Sequence, residues 1–254
     1  MFSRADIWAL ATLVSADKAI TGDRPEGVTF PMTYIGRHDC QGADATGVGG
    51  PPVDMPSPDL TTHGLLKFFS DTFGFDADET VTIMGAHAVA EARRENVGFG
   101  NLNRVDGWVF NPDSYELDNR YYKMFDISWE VELLENTVMH VPHRYQWYID
   151  PREKGPIMTN SDIALVRDFS KYISTDKNGV DGFVTCLFDH TAHFHFDEEG
   201  NFTPDDDSNS DKPVCPIASK TMLKVIEHKI NNEMFLYDFQ EVLDKMVRNG
   251  YPMR

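Results

Sequence analysis

Hydrophobic positions recur at helical spacing over most of the chain, and this periodicity predicts a mainly α-helical protein. A first helix is predicted over about Ser3 to Ile20, with Ile7, Leu10, Leu13 and Val14 on one face and Ser3 with Asp6 as its cap. A stretch dense in Gly, Pro and Asp follows from Thr21 to Pro56. Ser57-Pro58-Asp59 has the form of an N-cap with proline at the first helical position, opening a helix through Phe68, Phe69 and Phe73. Asp76 and Glu79 make a capping-box pattern at the head of the next helix, which carries His87 and is predicted to end near Gly98. From Trp108 to Asp150 the pattern mixes short helix with strand. Ser161 or Asn160 caps a predicted helix through Leu165, Phe169 and Tyr172. HTAHFHFDEEGNFTP reads as a small hairpin around Glu199-Gly200. Two closing helices are predicted over about Ile217 to Ile230 and Met234 to Arg248, the second stopped by Asn249-Gly250-Tyr251-Pro252. No repeat and no flexible linker interrupts the chain, so residues 1–254 are read as one domain.

Composition narrows the function classes. At 254 residues, with 41% hydrophobic and 12% aromatic content, the chain can bury a sizeable core. No run of eighteen apolar residues occurs, which argues against a membrane span. The 41 acids against 23 bases give a net charge of -18, which disfavours nucleic acid and anionic membrane surfaces. Part of that excess is local, since DEEGNFTPDDDSNSD (Asp197 to Asp211) holds seven acids and no base, as a solvated loop would. Val14-Ser15-Ala16 resembles a secretory cleavage site. Asp6 cancels Arg4, however, and the Ser3 cap favours a structural helix, so no targeting segment is read.

The three cysteines show no zinc-type spacing. Cys186 and Cys215 bracket the acidic segment, where a disulfide would close a long loop; two buried free thiols are the alternative. We expect the disulfide, with Cys40 pairing to a residue upstream, and hence a location outside the cytosol, extracellular or secretory. Asn201-Phe-Thr would then be a glycosylation acceptor. His190, His193 and His195 are better explained by alternation along the hairpin than by a metal. STDKNGVDG matches a calcium loop only out of register and lacks the closing glutamate.

His87 is the residue that stands out. It sits among Gly85, Ala86, Ala88, Ala90 and Ala92, where bulkier side chains would fill a core better, and small neighbours leave room for something flat and large. A lone helix histidine is usually a core residue. Here VTIMGAHAVAEA, then GFG, then NP and LDNRYY, resembles the proximal ligand segment of the plant-type haem peroxidases, of the class that holds ascorbate peroxidase and cytochrome c peroxidase, including its animal members. SRADIWALATLVSADKAI, IGRHDC, NSDIALVRDF and EMFLYDFQEVLDKMVRNGY resemble further segments of that family in the right order.

The resemblance implies a helical peroxidase-like fold, a haem b cofactor and hydrogen peroxide as substrate, with an electron donor it does not identify. It makes His87 the fifth ligand of the haem iron, and Asp162 the carboxylate that accepts the other ring N–H and makes the imidazole more anionic. The family places a tryptophan beside the proximal histidine. Asn103 stands at that position here, and Trp108, five residues later, either refills the space through an insertion or leaves it without one. Asn96 replaces the arginine that contacts ascorbate, and Ala88 the threonine of a cation site, so neither ascorbate nor a bound potassium ion is implied. The Arg-x-x-(Phe/Trp)-His helix that handles peroxide on the distal side has no counterpart in these 254 residues. The expected protein is therefore the proximal part of a peroxidase whose distal part comes from an upstream segment or a partner chain. The rival reading is a non-catalytic, peroxidase-like structural or binding component of a larger assembly.

Overall fold

The computed structural model describes residues 2–37, 39, 55–101, 105–110, 115–135, 142–149, 155–188, 194–196, 202–204 and 213–249. Helix is the main element, and the sheets are small. Helix α1 (Arg4–Ala19) carries the capping box read from Ser3 and Asp6. Asp6 also accepts the Gly36 and Arg37 amides and the Arg37 guanidinium, whose remaining nitrogens reach the Val247 carbonyl. The start of the chain is thereby tied to its last helix.

Helix α2 (Thr62–Phe73) begins later than the sequence pattern predicts. The Ser57-Pro58 carbonyls are occupied by Ser161, through its hydroxyl and amide, so this stretch is pinned across the fold rather than wound into a helix. Thr61 caps the helix instead, accepting the Gly64 amide at 3.3 Å. Helix α3 (Ala77–Met84) starts on the Asp76–Glu79 capping box as read. It does not run to Gly98. Its end tightens into a 3₁₀ turn over Gly85–Val89, and the chain then extends into strand β1 (Glu91–Arg93) and a short helix α4 (Arg94–Val97). Gly98, at φ 82°, ends only that last turn. Strand β2 (Val105–Gly107) pairs antiparallel with β1, and this ladder takes the residues that periodicity would have assigned to helix.

Helix α5 (Arg120–Lys123) and a 3₁₀ turn (Met124–Asp126) lead to an antiparallel sheet of β3 (Glu130–Leu134), β4 (Arg144–Tyr148) and β5 (Ile157–Met158). Helix α6 (Asn160–Ile163) is one turn long, capped by Thr159 rather than by Asn160 or Ser161. The predicted continuation through Phe169 and Tyr172 is lost because Arg167 bridges to Ile217 and the Asp168 amide bonds the Pro216 carbonyl at 2.7 Å. Strands β6 (Ile173–Ser174) and β7 (Phe183–Val184) form a small ladder. Strands β8 (Phe194–Phe196) and β9 (Phe202–Pro204) make the hairpin expected around Glu199-Gly200. Helices α7 (Met222–Ile230) and α8 (Asn232–Val247) close the fold, α7 starting late because Ile217 is held in that bridge. Among the described residues no helix is long and apolar enough to cross a membrane.

One apolar cluster links α1, α2, α3, α5, α6, α7 and α8, from Leu13 through Phe69, Met84, Tyr121 and Ile163 to Leu243. The four residues read on one face of α1 divide in the packing. Leu13 is buried beside Ala9 and Asp6, whereas Ile7 (55%), Leu10 (42%) and Val14 (47%) are exposed and Trp8 (78%) more so. The Asp6 anchor fixes the roll of the helix, and Ile7, Trp8, Leu10 and Val14 face outward. Ile7 and Trp8 line a groove of about 770 Å³ together with Ala86, Val89, Leu117 and Phe239.

Candidate functional site

The site forms where α3 ends. Gly85 permits the approach: a Cβ there would lie 2.5 Å from a Phe235 ring carbon and 2.6 Å from the Tyr122 hydroxyl. With the backbone drawn in, the tightened turn presents His87, whose side chain is 30% exposed. Its Nδ1 lies 2.6 Å from Asp162 Oδ1. An ionised carboxylate only accepts, so Nδ1 carries the proton and Nε2 holds the free lone pair. Nε2 has no hydrogen-bond partner among the described residues. The ring lines a cavity of about 500 Å³ with Pro56, Pro58, Leu65, Met84 and Trp108 in its wall.

Asp162 is completely buried and gathers five donors. Its Oδ1 accepts from His87 and from the Tyr121 hydroxyl at 2.7 Å. Its Oδ2 accepts from Trp108 Nε1 at 2.7 Å, the Thr159 amide at 2.8 Å and the Thr159 hydroxyl at 2.6 Å. Burial by itself pushes the carboxyl up, but the adjacent His87 and the Thr159 donors outweigh it and hold it below the usual carboxylate range. The same burial, with the Asp162 charge, drives the Tyr121 phenol well above its ordinary value, so it stays a donor.

Trp108 comes to His87 by strand pairing. Glu91 faces Gly107 across the β1–β2 ladder, which puts Trp108 one residue beyond the register and its ring 4.5 Å from the imidazole. The loop that feeds it is held by the Gly100 amide on Gln146 Oε1 and by Asn101 on Asp106. Trp108 thus stands beside the imidazole. Asn103 lies outside the described residues.

Of the residues singled out in the sequence, His87, Asp162 and Trp108 converge. Asn96 is exposed at the edge of the same cavity, and Ala88 is fully buried. Cys186 and Cys215 form a disulfide, with Cα atoms 5.0 Å apart. Cys40, Asn201, His190 and His193 lie outside the described residues, and of His195 only the strand position is described. Among the described residues no group of three His, Cys, Asp or Glu assembles that could hold a metal ion by itself. Sequence reasoning missed Thr159 and Tyr121. Thr159 had a readable signal, because Thr-x-x-Asp is a capping-box spacing. Tyr121 had none beyond its place in LDNRYY.

Residues 1–175 match the family model for peroxidase. The mitochondrial cytochrome c peroxidase of Cryptococcus neoformans var. grubii is 28% identical over 176 residues, covering 67% of this chain and 39% of that protein. The mitochondrial cytochrome c peroxidase of Neurospora crassa is 27% identical over 166 residues, covering 65% of this chain and 38% of that protein. The chain thus spans about two fifths of the length of these curated relatives. His87, Trp108, Tyr121 and Asp162 all fall inside the matched segment, and the disulfide lies beyond it.

Proposed function

This chain belongs to the peroxidase family, and from that membership we propose that it is the histidine-ligating part of a haem peroxidase that reduces hydrogen peroxide with electrons from a separate donor. The observation that carries this reading is the 2.6 Å bond between His87 Nδ1 and Asp162, which leaves Nε2 as a free ligand on a ring lining the cavity. The residues fit a haem. The imidazole is fixed in the ligating tautomer, and prolines, Leu65, Met84, Ala92 and Trp108 give the wall around it an apolar part, with Glu91, Asn96 and Arg144 on its polar part. Haem, when bound, supplies the iron at which peroxide is reduced. We assign it as haem b, the cofactor that the resemblance to the plant-type peroxidases implies.

The chain's own residues do the positioning. Asp162 orients the His87 ring and raises its donor strength, as carboxylate partners of metal-bound histidines generally do. Thr159 and Trp108 hold Asp162 from the side opposite His87. The proton transfers of peroxide reduction need an acid–base pair; the sequence carries no Arg-x-x-(Phe/Trp)-His stretch to supply it, and we assign that pair to an upstream segment or partner chain. The outward apolar stripe of α1 is the surface such a chain would cover. That same uncovered face favours the rival reading, a peroxidase-like binding component without turnover. The Cys186–Cys215 disulfide supports placement in an oxidising compartment.

An absorption titration separates the two readings. Haem added to the purified chain is expected to give a Soret band with a five-coordinate ferric signature, lost on His87→Ala. A chain that takes up no haem is the binding component.

A further inference from the structure

Asp162 Oδ1 serves two donors at once, and the second has no place in the reading above. Besides His87 Nδ1 at 2.6 Å it takes the Tyr121 hydroxyl at 2.7 Å. Both Asp162 and Tyr121 are at 0% exposure, so solvent does not reach the carboxylate or the phenol. The Tyr121 ring would fill its space equally well as phenylalanine. It packs edge-on against Tyr122, Phe125 and His87 at centroid distances of 5.2, 5.3 and 5.7 Å. The hydroxyl is thus a buried polar group added to an aromatic cluster, which is unfavourable unless it is bonded. Its partner is the carboxylate oxygen on which the imidazole also depends.

Tyr122, the next residue, shows that this is a choice of the site and not of the helix. It is equally buried, yet its hydroxyl turns to the Val81 and Thr82 carbonyls at 2.9 and 3.2 Å, a backbone tie within the core. A carboxylate oxygen has about two good acceptor positions. On Oδ1 these are filled by the imidazole and the phenol, while three donors, Trp108 Nε1 and the amide and hydroxyl of Thr159, already crowd Oδ2. Hydrogen bonds to an ionised acceptor are among the strong ones, and donors to one oxygen compete for the same electron density. What the phenol takes is withheld from the imidazole.

We propose that Tyr121 is a positioning residue that shares Asp162 Oδ1 with His87 and so limits the anionic character the carboxylate passes to the imidazole. The inference rests on the haem reading for its consequence at iron, since a less anionic ligand leaves the iron easier to reduce. The hydrogen-bond competition itself needs no haem.

The test has two arms. In the haem-free 254-residue chain, the His87 Nδ1–H proton is followed by NMR in wild type, Tyr121→Phe and Tyr122→Phe. Tyr121→Phe is expected to move that resonance downfield as the bond to Asp162 strengthens, with Tyr122→Phe leaving it in place. In the haem-loaded chain, Tyr121→Phe is expected to shift the reduction potential to more negative values and raise the iron–histidine stretching frequency, again with Tyr122→Phe as the unmoved control. An unshifted or upfield proton in Tyr121→Phe overturns the proposal, as does an equal shift in both variants. Failure of the wild-type chain to take up haem defeats the functional reading instead, and the first arm still decides the competition.

Discussion

Trp108 and His87 are bound to opposite oxygens of one carboxylate: Trp108 Nε1 lies 2.7 Å from Asp162 Oδ2, and His87 Nδ1 lies 2.6 Å from Oδ1. Their rings are 4.5 Å apart, so the indole supports the imidazole by contact and through the shared acceptor. This pairing predicts two separable effects. Trp108→Phe keeps most of the volume and removes the donor, and is expected to lower unfolding free energy by about 1–2 kcal/mol. Trp108→Ala also opens a cavity and is expected to cost about 3–5 kcal/mol. Urea denaturation of the two variants checks the order; no loss in Trp108→Phe would mean that the hydrogen bond contributes nothing, and equal losses that the indole's volume adds nothing to it.

The ligand assignment predicts that Asp162→Asn still binds haem while the iron reduction potential rises, because the imidazole loses anionic character. Changes to the partner of a ligating histidine typically lower metal affinity or activity by about 10–100-fold. A spectroelectrochemical titration measures the potential, and a fall on substitution would contradict the role given to Asp162.

Stability is expected to depend on pH through His228. This side chain is fully buried between Tyr122 and Phe235, with Nε2 on the Thr82 hydroxyl at 2.9 Å and no partner for Nδ1. Burial, reinforced by Lys224 and opposed by Asp238 and Glu227, pushes it down from 6.5 to about 4. The unfolded chain therefore binds the proton more readily than the folded one. Stability is complete above pH 6.5 and declines as pH falls toward about 4. At about 1.4 kcal/mol for each pH unit of that interval, the loss reaches roughly 3 kcal/mol at most. Denaturation at pH 7 and pH 5 should show the decline in wild type and a flatter profile in His228→Leu; identical slopes would remove His228 as its source.

The Cys186–Cys215 disulfide closes a loop of 29 residues. On the chain-entropy model such a cross-link contributes roughly 3–4 kcal/mol. The Cys186→Ser/Cys215→Ser double variant is expected to lose about that much, measured by denaturation under non-reducing conditions. Non-reducing peptide mass spectrometry of the native protein should recover the linked pair, whereas three alkylatable thiols would exclude it.

On the proposed reading, which places the distal acid–base pair outside these 254 residues, the chain expressed alone is expected to show negligible peroxide turnover even with haem supplied. General acid–base catalysis contributes on the order of a hundred- to ten-thousand-fold, and only background haem chemistry should remain. The outward stripe with Ile7, Trp8 and Val14 should also make the isolated chain poorly soluble. Co-expression with an upstream segment or partner chain that supplies the distal pair is expected to restore both. Fast, saturable turnover by the 254 residues alone would show that the acid–base chemistry lies within them.

The sequence by itself determined what depends on residues within one turn of each other. The Ser3–Asp6 and Asp76–Glu79 caps, the hairpin and the extent of α8 were legible because their signals are local, whereas the pairing of His87 with Asp162, 75 residues apart, came only from the family resemblance. Tertiary structure alone decided where those signals yield to distant partners. The helix of His87 stops short because β1 finds β2, and that ladder, with Glu91 against Gly107, delivers Trp108 to the imidazole. Ser57 and Pro58 are claimed by Ser161, and Arg167 by Ile217, so two predicted helices shorten. Arg37 and the Gly36 amide, by holding Asp6, set the roll of α1 and turn Ile7 and Val14 outward. Periodicity gives the spacing of a face but not its direction. The five donors on Asp162 come from His87, Trp108, Tyr121 and Thr159, and only the packed chain brings them to one buried carboxylate.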